Sequence, residues 1–336
     1  MNPSMWLKAL QVIPHVSNDE WKKLDVISKW LISTRAAVLI MTFLSAAFAG
    51  IFAFRDGNFD LLKWVLLTLG LIFSHATNNL LNDYTDYKRG VDQDNYYRSQ
   101  YGPQPLVHGL MTKRQHLTYA AVTGAIALLM GIILVVMTNW WTLLLLLSGV
   151  FFVLFYTWPL KYIALGEISV LLVWGPLMIG GGYFVITGDW SWTVVLASLP
   201  YALGVTGVIF GKHIDKFEMD KKLNIHTLPV VIGERPARIT LVVMLILQYV
   251  LTFVLVIMGF YTLVMAAVLL AIPTLRRIWP MFGAPKPAEK PAEYPDVWPN
   301  YFVAAAFLHN RSFGIWFMLA LIVDSIFKVY FPNFLR

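Results

Sequence analysis

None of the 336 residues is cysteine, so the chain can form no disulfide, no thiolate nucleophile and no cysteine-bound zinc or iron–sulfur centre. Charge is also scarce. Asp, Glu, Lys and Arg make up 13% of the residues, about half the share found in a soluble domain, which excludes an ordinary solvated surface. The first thirty or so residues lack the short apolar core of a secretory leader. With charges set around Trp6, Trp21 and Trp30, they read as a segment lying on a membrane surface.

Hydrophobic residues fill the space instead, at 58% of the chain. They fall in runs of about twenty, the length that crosses hydrocarbon as a helix. Spans are expected at roughly 33–54, 60–81, 115–137, 140–158, 163–186, 192–211, 236–258, 260–280 and 311–331. All of the 26 Lys and Arg except Arg55, Lys63, Lys328 and Arg336 then lie on one side. The positive-inside rule predicts an all-α, nine-helix protein of the cell membrane with a cytoplasmic N-terminus. That asymmetry accounts for the net charge of +7 without a nucleic-acid partner. A single membrane-embedded domain over residues 1–336 is expected, with its polar chemistry in cytoplasmic loops 83–114 and 212–235. The Pro- and Lys-rich loop 281–299 reads as an extended connector.

Two acidic islands interrupt the apolar sequence, both on the predicted cytoplasmic side. The first runs from Asn78 through Asn82, Asp83, Asp86, Lys88, Arg89 and Gly90 to Asp92. Helical spacing puts Asn79, Asp83 and Asp86 on one face, with Asn82 one turn from Asp86. Carboxylates entering an apolar helix end cost a few kcal/mol each if unpaired, so such a face is a site hypothesis. Mg²⁺ with a diphosphate is the chemistry that collects such oxygens, and Lys88, Arg89 and Arg98 are near enough in sequence to hold phosphate. The plain alternative is a solvated helix end whose acids pair with neighbouring Lys and Arg.

The second island is Lys212-His213-Ile214-Asp215-Lys216-Phe217-Glu218-Met219-Asp220. Asp215 and Glu218 share a helical face, whereas Asp220 joins Asp215 only if the helix ends early. Metal candidates are therefore Asn82, Asp83, Asp86, Asp215, Glu218 and Asp220. His213 is more readily a hydrogen-bonded interfacial histidine than a ligand. Between two spans, Tyr156-Thr157-Trp158-Pro159-Leu160-Lys161-Tyr162 offers Tyr156 and Lys161 as diphosphate contacts or as interfacial anchors. Glu167 lies near the same membrane face, and Gly180-Gly181-Gly182 suits helix packing. Islands at two equivalent helix ends suggest one cavity lined by both. A cation- or proton-coupled transporter is the rival reading, but it would want ionisable residues near the membrane midplane.

The spacing Asn82-Asp83-x-x-Asp86-x-x-x-Gly90-x-Asp92 resembles the first motif of the UbiA-type intramembrane prenyltransferases. In particular it looks like the branch that acts on 1,4-dihydroxy-2-naphthoate in menaquinone synthesis. The resemblance continues through Gly102-Pro103, Gly109-Leu110-Met111-Thr112 and Tyr156-x-x-Pro159-x-Lys161-Tyr162-x-x-Leu165-Gly166-Glu167. It runs on through Trp174-Gly175-Pro176-Leu177 to Thr227-Leu228-Pro229-Val230-Val231-x-Gly233. It implies nine helices around a central cavity open to lipid, Mg²⁺ as cofactor, and a polyprenyl diphosphate donor with an aromatic acceptor. It further implies Asp83 and Asp86 in one catalytic metal and diphosphate motif and Asp215 and Asp220 in the other. Asn82 would belong to the first of these motifs, and the residues' own chemistry adds Asn79, Lys88, Arg89, Arg98, Tyr156, Lys161 and Lys212 as candidate substrate contacts. The second motif departs from the family pattern. Gly211-Lys212-His213-Ile214 stands where paired Asn and an Arg are usual, and Asp215 and Asp220 are five residues apart instead of four. Other acceptors (another quinone ring, a tetrapyrrole, a glycerol-phosphate lipid) are the alternatives within this class.

Overall fold

A computed structural model describes residues 2–91 and 102–331. Three short helices open the chain: α1 (Pro3–Gln11), α2 (Asn18–Lys23) and α3 (Val26–Ser33). Side-chain caps fix their starts. Ser17 and Glu20 form a reciprocal capping box on α2, and Asp25 caps α3 while accepting hydrogen bonds from Asn2 N and Trp6 Nε1. At Arg35 the backbone turns through the left-handed region, φ 55°, and the chain enters its first long helix.

The long helices are α4 (Ala36–Arg55), α5 (Leu61–Lys88), α6 (Lys113–Met137), α8 (Gly166–Thr187), α9 (Trp192–Asp215), α12 (Glu234–Ile257), α13 (Leu263–Phe282) and α14 (Phe302–Tyr330). These eight, among the described residues, are long and apolar enough to cross a membrane. Between α6 and α8, α7 (Trp141–Phe155) is apolar but only 15 residues long. The short helices α10 (Phe217–Lys222) and α11 (Leu228–Ile232) follow α9. Each expected span has its helix. The bounds that differ most are the end of α5, which runs on to Lys88 past the expected 81, the end of α7, before Tyr156, and the start of α14, nine residues before the expected 311. Its first turns hold Phe302, His309 and Asn310 buried, a tertiary setting that hydropathy does not register.

The chain divides into two compact units. The first comprises 1–44 and 65–158. In it α6 and α7 turn Leu128, Leu129, Ile132, Val136, Leu144, Leu147 and Leu154 outward, as lipid-facing helices must. The second comprises 45–64 and 159–336. Its core is aromatic, with Phe48 4.8 Å from Tyr201 and Phe313 5.7 Å from Phe317, ring centre to ring centre. Within α8 a π-helical stretch, Val173–Gly180, surrounds Pro176, whose missing N–H breaks the regular ladder. The three glycines from 180 to 182 are buried there, as packing residues. Trp140, Trp141, Trp190 and Trp192 stand exposed near helix ends, where aromatic belts form.

Candidate active site

In the first unit the acidic island is a continuation of α5, which stays helical through Lys88. Asn79, Asp83 and Asp86 are all buried, on the shared face that their spacing predicted. Gly90, φ 71°, ends the run. The Asn79 amide nitrogen donates to Thr34 O at 2.8 Å, which turns its oxygen away from that carbonyl. Arg35 donates through Nη2 to Asp83 Oδ1 in a short ion pair, and to Asn79 O at 3.4 Å. The turn at residues 34–35 thus places a guanidinium against the acidic face. Sequence reasoning counted Arg35 only as a loop cation, although a lone arginine entering an apolar run was a legible signal.

Asn82 is half-buried, and Lys88 and Arg89 are exposed, the latter with its guanidinium 5.0 Å from the centre of the Trp158 ring. Tyr156 is half-buried. Arg98 and Asp92 lie outside the described residues.

The second unit gathers a different polar cluster. Glu167 Oε1 meets His213 Nδ1 at 2.6 Å, and the Leu228 amide donates to both Glu167 oxygens at 3.2 and 3.3 Å. Ile163 and His226 form an isolated bridge beside it. His213 is thus a hydrogen-bonded histidine, its ring orientation set by Glu167. Lys161 is buried, its ammonium 5.6 Å from the centre of the Tyr162 ring, and Lys212 is half-buried.

Asp215 ends α9. Its Oδ2 accepts from Tyr301 N and Val303 N, each at 2.9 Å, and its Oδ1 from Phe302 N at 3.0 Å. Lys286 Nζ lies 4.0 Å from the same Oδ1 and donates to Pro299 O at 2.5 Å. Burial pushes the Lys286 ammonium below the ordinary lysine range, and Asp215 opposes that shift. The Pro-rich loop is therefore seated on the end of α9, with Lys286 facing Asp215 and Trp298, and is not a plain extended connector. Lys286 had no sequence signal, since its partner is 71 residues away. Asp220 is buried on α10 with Lys216 Nζ 3.4 Å from its Oδ1, and Glu218 is exposed.

Among the described residues no three His, Asp or Glu side chains form a ready metal cage. Mg²⁺ does not need one. It usually takes one or two carboxylates and completes its shell with water and substrate phosphate. The oxygen donors of the Asn79–Asp86 face fit that demand. The surroundings of Asp215 fit poorly, because three backbone N–H groups already bind its two oxygens and the Lys286 ammonium lies 4.0 Å from Oδ1, where a cation would compete with them.

Residues 43–294 match the UbiA prenyltransferase family. A 1,4-dihydroxy-2-naphthoate octaprenyltransferase of Bacillus subtilis is 26% identical over 243 residues, covering 71% of this chain and 77% of that protein. A digeranylgeranylglyceryl phosphate synthase of Pyrococcus horikoshii is 29% identical over 178 residues, 53% of this chain and 59% of the relative. Among solved structures, the apo UbiA homologue of Aeropyrum pernix superposes with a TM-score of 0.63 at 19% identity, covering 85% of this chain and 98% of that one. The Archaeoglobus fulgidus homologue bound to GPP and Mg²⁺ gives 0.57 at 18% identity, over 87% and 99%. At these identities the likeness is one of fold.

Proposed function

From membership in the UbiA prenyltransferase family, to which this chain belongs, we propose that it transfers a polyprenyl group from its diphosphate to an aromatic, quinone-precursor acceptor within the cell membrane. The active site faces the cytoplasm in this reading. The observation that carries it is the buried Asn79–Asp83–Asp86 face with Arg35 against it. Two buried carboxylates on one face of an apolar helix end are costly, and a ligand that uses their oxygens offsets that cost. Family membership displaces the transporter reading.

Asp83 and Asp86, helped by Asn79 or Asn82, would hold Mg²⁺, whose chemistry there is to offset the charge that builds on the departing diphosphate. Arg35 supplies a guanidinium for phosphate oxygens, which its planar fork matches. Arg89, Lys88 and Arg98 are further candidate cations for the same group, and Tyr156 is a candidate donor to it; Lys161 and Lys212 stay candidate substrate contacts of the second unit. The donor's C–O bond breaks with its electron pair leaving on the diphosphate. The acceptor ring supplies the pair for the new bond and then loses a proton. A long prenyl tail stays in lipid, since each CH₂ moved into water would cost about 0.8 kcal/mol.

The test is diphosphate release from geranylgeranyl diphosphate in proteoliposomes, with Mg²⁺ or with EDTA, across an acceptor panel. Mg²⁺-dependent release with prenylated 1,4-dihydroxy-2-naphthoate supports the aromatic reading. Release with a glycerol-phosphate lipid instead moves the acceptor class and keeps the donor chemistry. No release with any acceptor, from folded protein, overturns it.

A further inference from the structure

The long helix α14 begins without a cap of its own. Tyr301 stands at its N-cap position and cannot accept a hydrogen bond from the first turn. The opening N–H groups of any helix need acceptors, and buried ones need them most. Here a residue 86 positions earlier supplies both acceptors. Asp215 takes the N–H groups of Tyr301, Phe302 and Val303 on its two oxygens. A carboxylate also suits the positive end of the helix dipole.

One turn before Asp215, Gly211 makes the approach possible. A Cβ there would stand 2.8 Å from Phe302 O, 2.9 Å from Phe302 C and 3.0 Å from Val303 N, all of them backbone atoms. The backbone of α14 therefore rests directly on α9, and Asp215 closes the joint. Both buried acids of the second island have a lysine. Lys286 faces Asp215 from the Pro-rich loop at 4.0 Å, and Lys216 faces Asp220 at 3.4 Å from one turn before it. Glu218, the remaining acid, is exposed.

We infer that the second acidic island of this chain anchors the last helix instead of holding a metal ion, with Lys216 and Lys286 supplying the positive charge a divalent cation would bring. The anchoring stands on the contacts alone. The statement about metal rests on the donor reading above, in which the first island binds Mg²⁺ and diphosphate. Three N–H groups on the Asp215 carboxylate, with the Lys286 ammonium beside Oδ1, would compete with a metal for its lone pairs, and any of the three displaced would leave the buried start of α14 short of an acceptor.

The experiment titrates Mn²⁺ into the full chain in nanodiscs with inorganic diphosphate, by electron paramagnetic resonance, and records thermal unfolding of the same samples. Asp215→Asn is expected to lower Tm by several degrees and to leave Mn²⁺ stoichiometry and affinity as in the wild type. An unchanged Tm with Mn²⁺ affinity weakened about tenfold or more, the range for a disrupted metal site, overturns the inference. Should Asp215→Asn fail to fold, two other variants decide. Asp220→Asn is expected to keep the Mn²⁺ stoichiometry and Lys286→Met to lower Tm; a lost Mn²⁺ ion in the first, or an unmoved Tm in the second, overturns it. Asp86→Asn in the same titration tests the donor reading separately. Retained Mn²⁺ binding there counts against that reading and leaves the anchor to the Tm values.

Discussion

Asp83 and Asp215 are both buried carboxylates near the end of a long apolar helix, yet the first faces a side chain and the second faces backbone. The difference decides what each can do. Arg35 is a long side chain with several rotatable bonds, so it can swing from Asp83 onto an arriving phosphate without moving the fold. The N–H groups of residues 301–303 belong to a helix that runs to Tyr330, and they cannot leave Asp215 unless that helix shifts. An acid paired with a movable cation remains available for chemistry. An acid bound to the first turn of a helix has become part of the scaffold.

The comparison can be broken most decisively at its reactive side. Asp86→Ala is expected to abolish Mg²⁺-dependent diphosphate release, a loss of about a thousandfold or more, as when a group stabilising developing charge is removed. The variant is expected to stay folded and membrane-inserted, which thermal unfolding of the same sample checks. Wild-type turnover in detergent would remove the first island from the site. A smaller effect is expected at Arg35. Arg35→Ala should raise KM for the prenyl diphosphate by about 10- to 100-fold, the value of one or two charge-assisted hydrogen bonds. Arg35→Lys should recover part of that, since it keeps the charge and loses the fork. Steady-state kinetics with donor and acceptor varied separately would show it, and an unchanged donor KM in Arg35→Ala would leave Arg35 a purely structural partner of Asp83.

Lys161→Ala is expected to weaken donor binding more than acceptor binding, by a few-fold. Lys161 is buried with its ammonium 5.6 Å from the centre of the Tyr162 ring, and a cation out of water gains from an arriving diphosphate. The same assay decides, with equal changes in both KM values as the contrary result.

The smallest effect lies away from both islands. Partial burial works against the Asp25 charge, but hydrogen bonds from Ser28, Trp6 and Asn2 outweigh it and hold the carboxyl at about 2, down from 3.8. A depressed carboxylate contributes stability that is fully present above its unfolded value and fades as pH falls through the folded one. The N-terminal helices should therefore loosen between about pH 4 and 2, followed by tryptophan emission from Trp6. Asp25→Asn should flatten that profile; an unaltered one would show that the cap is not what titrates.

Much of this was legible without coordinates. Every apolar run became a helix because the bilayer leaves a backbone no other way to satisfy its N–H and C=O groups, and length and hydropathy report that directly. The acidic face of α5 was legible for a related reason. Residues 79, 83 and 86 lie within one helix, and helical periodicity fixes which side chains share a face. Beyond a single element that logic stops. Glu167 with His213, and Arg35 with Asp83, each join residues more than forty positions apart, and no local rule relates them.

The amino-acid sequence by itself determined that this is a helical membrane protein with oxygen donors on one helix face, because burial in lipid and helical spacing act on each segment alone. Tertiary structure alone decided that Asp83 meets a guanidinium while Asp215 meets the start of another helix, because a carboxylate takes whichever donors packing brings to it. The letters Asp-x-x-Asp and Asp-x-x-x-x-Asp look like two versions of one device, and the packing around Gly211 and Phe302 makes them two different ones.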